Sequence, residues 1–175
     1  QKIANYTTSI DVYSSPAVAD GYVYIGSWNP SGPHVYQLNA SNISQVIATY
    51  STDDRITYSS PAVANGYVYI GSRDNKVYQL NASNVSLLIA SYTTNGWVDS
   101  SPAVANGYVY IASYDNNTYQ LNSSNISQKI ANYSMRSGTP ISSPAVANGY
   151  VYVGGGTNNK TYQLNASNIS ILVAT

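Results

Sequence analysis

Nucleophilic catalysis needs a serine or cysteine beside a histidine that an acid orients. This chain of 175 residues has many serines, no cysteine and one histidine, His34, in the loop Trp28-Asn29-Pro30-Ser31-Gly32-Pro33-His34. A lone histidine in a Pro/Gly loop reads as a solvated loop residue. Glycoside hydrolysis needs two carboxyl groups of unequal proton affinity. Asp11, Asp53, Asp54 and Asp99 are the candidates, but nothing around them in sequence raises a proton affinity, and Asp53-Asp54 reads as a turn. Asp74-Asn75 and Asp115-Asn116 offer oxygen ligands without the spaced acidic loop that binds calcium. Gly154-Gly155-Gly156 follows a strand and opens no helix, so it is not a phosphate loop. The expectation is a chain that is no enzyme and carries no cofactor and no metal.

Composition narrows the partners. Charged residues make up 8% of the chain, with no Glu and seven Asp against seven Lys plus Arg, so the formal charge is zero. Nucleic acid and anionic lipid both call for a cationic surface, and neither is expected here. No apolar run reaches the length of a membrane span, so no membrane insertion is expected. Nineteen Tyr stand beside two Trp and no Phe, and Asn, Ser and Thr fill the polar positions. Solubility then rests on hydroxyls and amides, or on groups attached to them. The start at Gln1, with no signal peptide, fits a processed chain or an excised segment.

The elements that position these residues come from a repeat. Ser14-Ser15-Pro16-Ala17-Val18-Ala19 recurs at Ser59, Ser100 and Ser142, with spacings of 45, 41 and 42 residues. Each copy runs on through Gly-Tyr-Val-Tyr, a polar turn, Tyr-Gln-Leu-Asn and a segment such as Gln45-Val46-Ile47-Ala48-Thr49-Tyr50. Aromatic and β-branched residues alternating at period two are strand-formers. Asp20-Gly21, Asn65-Gly66, Asn106-Gly107 and Asn148-Gly149 are hairpin dipeptides that accept positive φ. Four short strands per unit of this length mark a propeller blade. Strand A is Ser-Pro-Ala-Val-Ala, whose small residues suit the crowded axis; B is Gly-Tyr-Val-Tyr, C is Tyr-Gln-Leu-Asn, and D is Ile-Ala-x-Tyr. The fold class is all-β: a β-propeller of four four-stranded blades, about 14–57, 58–98, 99–140 and 141–175, in a single domain over 1–175. One blade cannot bury its own apolar face, so the four close as a ring or form part of a larger ring or array.

The segment from Ser59 to Ser72, followed by Val77-Tyr78-Gln79-Leu80-Asn81-Ala82, resembles the pyrroloquinoline-quinone-type (PQQ-like) propeller repeat, and the likeness covers essentially the whole chain. It implies a propeller, usually of seven or eight blades. The family includes quinoprotein dehydrogenases and non-enzymatic scaffolds such as outer-membrane assembly lipoproteins. Where the family has an Ala-x-Thr-Gly turn and then a docking Trp, this chain has Ala40-Ser41-Asn42-Ile43-Ser44 and no Trp. The lock between blades is therefore expected from Tyr and aliphatic packing. Without Glu and the quinone-site motifs, the non-enzymatic branch is implied.

The ends do not balance. Gln1-Lys2-Ile3-Ala4-Asn5-Tyr6 is identical to the strand D at Gln128–Tyr133, while Ile171-Leu172-Val173-Ala174-Thr175 already supplies a strand D to the fourth copy. Residues 1–9 are thus an extra outer D-type strand. Either it overlaps and frays, or one subunit lends it to a neighbour, making a homo-oligomer or polymer through residues 1–8 or 171–175 by strand addition.

In a propeller the A–B and C–D loops share one face and the D–A and B–C loops the other. Every C–D loop carries two Asn-x-Ser sequons: Asn39 and Asn42, Asn81 and Asn84, Asn122 and Asn125, Asn165 and Asn168. Asn5, Asn116, Asn132 and Asn159 bring the total to twelve. The first of each pair also suits an Asx turn, so N-glycans are expected more readily on the second. The opposite face gathers most of the charge and the residues that break the repeat, with Trp28, His34, Arg55, Arg73, Trp97, Asp99, Tyr114 and Arg136 as a candidate contact face. Together these readings point to an extracellular, N-glycosylated structural protein that assembles with itself. The alternative is a propeller module that binds glycan or peptide on the charged and aromatic face.

Overall fold

In the computed structural model, the described residues are 3–8, 10–29, 31, 32, 34–135 and 142–175. They form four antiparallel sheets of four strands, each in meander order. The first blade is β1 (Ala17–Ala19), β2 (Tyr22–Gly26), β3 (Val35–Asn39) and β4 (Asn42–Tyr50). The second is β5 (Ala62–Ala64), β6 (Tyr67–Gly71), β7 (Lys76–Asn81) and β8 (Asn84–Thr93). The third is β9 (Ala103–Ala105), β10 (Tyr108–Ser113), β11 (Asn117–Asn122) and β12 (Lys129–Ser134). The fourth is β13 (Ala145–Ala147), β14 (Tyr150–Gly154), β15 (Thr161–Asn165) and β16 (Leu172–Ala174), with a single 3-10 turn at Gly156–Asn158. These are the blades of a propeller. The hairpin dipeptides take positive φ at both positions, as at Asn65 (53°) and Gly66 (78°), which is what a two-residue turn of the favoured twist requires.

The twin serines at the head of each strand A have separate tasks. Ser14 Oγ accepts the Gly26 N–H at 2.8 Å and donates to Gly26 O at 2.9 Å, fastening strand A to the end of strand B. Ser59 accepts from Gly71 N, and Ser100 both accepts from and donates to Ala112. The second serine links blades. Ser15 N donates to Ser60 Oγ at 2.8 Å, Ser60 N to Ser101 Oγ at 2.9 Å, and Ser101 N to Ser143 Oγ at 2.9 Å. Proline between serine and alanine fits because β1, β5, β9 and β13 begin after it and need no ladder bond from it.

Strand D differs from its expected form. β4 and β8 begin at Asn42 and Asn84, well before Ile-Ala-x-Tyr. In every blade its register with strand C slips at the glutamine: Gln37 pairs with Ala48 but Leu38 with Val46, and the same step recurs at Gln79, Gln120 and Gln163. The residues left unpaired are Ile47, Ile89, Ile130 and Val173, exposed by 45%, 44%, 46% and 47%. A repeated bulge twists each outer edge away from regular pairing, one of the ways proteins blunt a sheet edge.

Residues 3–8, expected as a surplus strand D, join no sheet. They lie instead against the first blade, where Tyr6 stands on Tyr36 with ring centroids 5.5 Å apart.

The core is divided between blades. One cluster joins Tyr24 and Val35 of the first blade to Val68, Tyr78, Leu80 and Val85 of the second. A second joins Tyr69 and Val77 to Val109, Leu121 and Ile126 of the third. A third joins Tyr110 and Ala112 to Val151, Leu164 and Ile169 of the fourth. Innermost strands touch in the series β1, β5, β9, β13, and no contact of comparable extent joins β13 back to β1 among the described residues.

Candidate functional site

The lock between blades is a clasp made by one tyrosine and one glutamine. Tyr24, in β2, donates its hydroxyl to Ala82 O of the next blade at 2.6 Å. Gln37, in β3, donates Nε2 to the same oxygen at 2.9 Å and accepts the Val85 N–H on Oε1 at 3.1 Å. Tyr69 and Gln79 hold Ser123 O and Ile126 N in this way, and Tyr110 and Gln120 hold Ala166 O and Ile169 N. These six side chains are buried to 0% exposure. Gripping backbone atoms lets the C–D turn vary in sequence, and an apolar tyrosine ring with a polar tip fills the space between blades. Burial pushes the phenols of Tyr24, Tyr69 and Tyr110 up to about 12.

The expected lock of tyrosine and aliphatic packing is thus half of the device. Glutamine supplies the rest. Its trace in the sequence is a single polar residue repeated four times at an inward position of an otherwise apolar strand. A second tyrosine completes each joint at its rim: Tyr50 stacks on Tyr78 (5.6 Å), Tyr92 on Tyr119 (5.4 Å) and Tyr133 on Tyr162 (5.6 Å). Tyr6 on Tyr36 repeats that contact on the first blade.

At the C–D turns, both sequon asparagines close Asx turns. Asn39 Oδ1 accepts the Ser41 N–H at 2.9 Å, and Asn42 Oδ1 accepts from Ser44 N and Ser44 Oγ. The pairs at Asn81 and Asn84, Asn122 and Asn125, and Asn165 and Asn168 do likewise. Asn39 and Asn122 donate Nδ2 to Gln45 and Gln128, while among the described residues Asn42, Asn84, Asn125 and Asn168 donate it to no partner, and neither do Asn81 and Asn165. Of the other sequons, Asn5 Nδ2 reaches Thr7 at 3.5 Å and Asn132 Nδ2 donates to Asn117. Asn116 and Asn159 sit in turns at positive φ.

On the opposite face the expected residues divide into two groups. Arg73 lies over Trp97, 4.7 Å from its ring centre, and over Tyr58 at 5.8 Å, while Nη2 bonds Asp99 at 2.8 Å. Tyr114 packs on Trp97 at 5.7 Å. The Asp99 side chain is fully buried, and its hydrogen bonds hold the Arg73 guanidinium above its ordinary pKa. Trp97 is 45% exposed and Tyr58 52%. The second group is Arg55 over Trp28 at 4.8 Å, with Arg55 Nε buried and without a hydrogen-bond partner. Tyr13 and Tyr58, tilted against each other with ring centroids 5.8 Å apart, were not singled out in the sequence. Arg136 lies outside the described residues.

His34 is not a solvated contact residue, contrary to the expectation. It is buried, its Nδ1 accepting the Thr52 N–H at 3.0 Å and its Nε2 facing Asn29 O at 2.5 Å. The first blade's longer loop needs an internal fastener, and imidazole provides one donor and one acceptor.

The remaining acids organise turns. Asp74 Oδ1 accepts from Lys76 N and Oδ2 from the Tyr78 hydroxyl, and Asp115 repeats this with Asn117 and Tyr119. Burial first, then these carboxylates, holds Tyr78 and Tyr119 well above the ordinary phenol range. Lys76 pairs with Asp53 at 2.6 Å. Among the described residues, no three His or Asp side chains gather as a metal site would require. Four shallow cavities of about 270 to 360 Å³ take no residue from the aromatic face. No helix among the described residues is long and apolar enough to cross a membrane.

Comparison with solved structures shows the same fold. The computationally designed Ika4 protein is similar over 94% of this chain and 98% of its own, with TM-score 0.77 and 10% identity. The designed Ika8 protein matches 91% of this chain and 47% of its own, with TM-score 0.72 and 12% identity. BamB from Moraxella catarrhalis matches 99% of this chain and 51% of its own, with TM-score 0.75 and 15% identity. The chain therefore spans about half the length of BamB and of Ika8, and nearly all of Ika4. No curated protein matches the sequence. The family model described as outer membrane protein assembly factor BamB matches residues 48–168. With more than half its length matched, this chain belongs to the PQQ-like β-propeller repeat family.

Proposed function

We propose that the chain is a non-enzymatic structural subunit, displayed outside the cell, N-glycosylated, and assembled with copies of itself into a filament or surface layer. The observation that carries this reading is the repeated free amide at the C–D turns. Among the described residues, Asn42, Asn84, Asn125 and Asn168 present Nδ2 without a partner at four matching places of one face, each in an Asn-x-Ser sequon. N-glycan transfer joins the sugar to that nitrogen and needs a surface turn. The acids and the histidine weighed for catalysis have partners within the chain: Asp11 the Tyr13 hydroxyl, Asp53 Lys76, Asp54 the Arg55 N–H, Asp99 Arg73, and His34 Thr52. Family membership agrees with a scaffold, since the matching family model is described as outer membrane protein assembly factor BamB. Residues 3–8 remain outside every sheet and supply a segment that a neighbouring copy can take up as a strand.

Electron microscopy of the native protein, with intact mass on the same sample, tests the reading. Extended assemblies with excess mass that localises to peptides carrying the second asparagines are the expected result. Discrete unmodified monomers overturn it.

A second reading has its own observation. Arg73 held over Trp97 and Tyr58, with Tyr114 and Tyr13 alongside, is an exposed aromatic platform fixed by a buried carboxylate. Such a platform suits the face of a sugar ring or a peptide side chain. Quenching of Trp fluorescence by soluble oligosaccharide, lost in Trp97→Ala, supports this reading; an unchanged spectrum across a glycan panel and a peptide panel removes it.

A further inference from the structure

The chain makes one kind of joint three times and leaves both halves of a fourth unmade. On the giving side, the fourth blade's clasp residues are Tyr152 and Gln163. Neither side chain has a hydrogen bond among the described residues, and both are partly exposed, whereas their six counterparts are buried to 0%. On the receiving side, the first blade's turn offers Ala40 O and Ile43 N. Ala40 is exposed and Ile43 half-buried, while Ala82, Ala166, Val85, Ile126 and Ile169 are buried at 4% or less. Beside Ala40 and Ile43 a cavity of about 360 Å³, lined also by Ile3 and Ala4, stays open. The axis shows the same imbalance: Val18 of β1 is 70% exposed, and the serine series ends at Ser143 without a return to Ser15.

We propose that the occupant of each open face is a second copy of this chain, docked head to tail, with Tyr152 and Gln163 of one copy clasping the Ala40–Ile43 turn of the next. This rests on the reading of a self-assembling subunit and names its joint. In that joint the Tyr152 hydroxyl and Gln163 Nε2 donate to Ala40 O, and Ile43 N donates to Gln163 Oε1, as each internal joint does. The second copy fits because three internal joints show what this face accepts: a turn reading Asn-Ala/Ser-Ser-Asn-Ile/Val, which the first blade carries as Asn39-Ala40-Ser41-Asn42-Ile43. Tyr6 stands on Tyr36 where the preceding blade's tyrosine belongs, so the segment 3–6 borders the joint. The two faces differ, so the contact is heterologous, and it makes a ring when the rotation closes and a filament when it does not.

The test uses the absence of cysteine. Ser15→Cys with Ser143→Cys places one thiol on each side of the proposed axis contact, at the positions that correspond to Ser60 and Ser101 across an internal joint. Mild oxidation of the full chain is expected to give disulfide-linked dimers and longer ladders on a non-reducing gel. A fast-migrating cross-linked monomer instead means that the four blades close on themselves, and overturns the proposal. The second variant is Tyr152→Phe with Gln163→Ala, read by sedimentation against concentration. Because neither side chain has a hydrogen bond among the described residues, its unfolding midpoint is expected to stay unchanged, while association weakens by at least about tenfold from the lost hydrogen bonds. Association that persists undiminished in this variant overturns the clasp and leaves the self-assembling reading standing. A wild-type chain that is monomeric at every concentration overturns both.

Discussion

The joint between the second and third blades and the open face of the fourth carry nearly the same residues in different states. Tyr69 and Gln79 are buried and hydrogen-bonded across the joint, while the side chains of Tyr152 and Gln163 are partly exposed and have no hydrogen bond among the described residues. The intrinsic strand chemistry is alike, since both belong to a Tyr-Val-Tyr strand and a Tyr-Gln-Leu-Asn strand. What separates them is the neighbour. A repeat protein takes its stability from interfaces between units as much as from the units, so identical side chains carry different energies according to position. The substitutions at Gln79 and Gln163, Gly71 and Gly154, and Tyr69 and Tyr152 therefore each set a middle position against its counterpart at the end.

The largest expected effect is alkaline unfolding. In the unfolded chain a phenol titrates near 10. In the folded chain Tyr24, Tyr69 and Tyr110 are pushed by burial up to about 12, and Tyr78 and Tyr119 higher still. A raised folded pKa contributes stability that is complete below pH 10 and is lost as pH rises toward and through the folded value. Between about pH 10 and 12 the unfolded chain has released protons that the folded one retains, so stability falls throughout that window. Circular dichroism and tyrosinate absorbance, followed together, should show these phenols ionising only as the sheets are lost. Ionisation of all nineteen tyrosines near pH 10 with the sheets intact contradicts this.

Next in size is the glutamine. Gln79→Ala leaves Ile126 N without its acceptor inside a buried joint, and Ser123 O with one donor fewer. Buried unpaired groups cost about 1–3 kcal/mol each, so the loss is expected to be about 2–4 kcal/mol, with the vacated space included. Gln163→Ala in the same isolated chain is expected to cost under about 0.5 kcal/mol, as an exposed substitution does. Urea unfolding of the two variants, monitored at low protein concentration, gives the comparison directly.

Much of this was legible in the amino-acid sequence. The Asn-Gly turns, the Tyr-Val-Tyr strands and the repeat itself specify four blades because they are local patterns, and local patterns survive without a partner. The bulge at Ile47, Ile89, Ile130 and Val173 was not legible, because it exists only in the register between two strands. His34 was misread for a similar reason: its burial depends on Thr52, which comes from another loop. Gln37 and its equivalents looked like ordinary polar alternation until the facing turn was in view. The sequence named Trp28, Arg55, Arg73, Trp97, Asp99 and Tyr114 but not Tyr13 and Tyr58, and the division into an Arg55–Trp28 pair and an Arg73–Trp97–Asp99 group required three-dimensional neighbours.

A glycine pair gives the third test. A Cβ on Gly71 would stand 2.5 Å from Val98 O, a backbone atom, and 2.4 Å from Val98 Cγ1. Gly71→Ala is therefore expected to lose about 1–3 kcal/mol through overpacking of the second joint. Among the described residues the nearest atom to a Cβ on Gly154 would be Ser142 Cβ at 3.0 Å, so Gly154→Ala is expected to lose less than Gly71→Ala. Thermal unfolding of both variants checks the order, and an equal loss would mean that the fourth blade is packed like the second.

The smallest contrast isolates a single hydroxyl. Tyr69→Phe keeps the ring and removes one donor to Ser123 O, which still accepts from Gln79 Nε2 at 3.0 Å. The acceptor is left with one bond rather than none, so the loss is held to about 1 kcal/mol, the net worth of an ordinary hydrogen bond. Tyr152→Phe removes a hydroxyl that bonds nothing within the chain, so no change in stability is expected at low concentration. The same pair measured at high concentration sharpens the comparison. Tyr69→Phe should lose the same amount as before, because its joint lies inside one chain. Tyr152→Phe should acquire a deficit relative to the parent, because association would by then have given the parent's hydroxyl an acceptor and added to its apparent stability by mass action. A deficit that appears only for the end position, and only as concentration rises, marks that hydroxyl as part of a contact between molecules rather than within one.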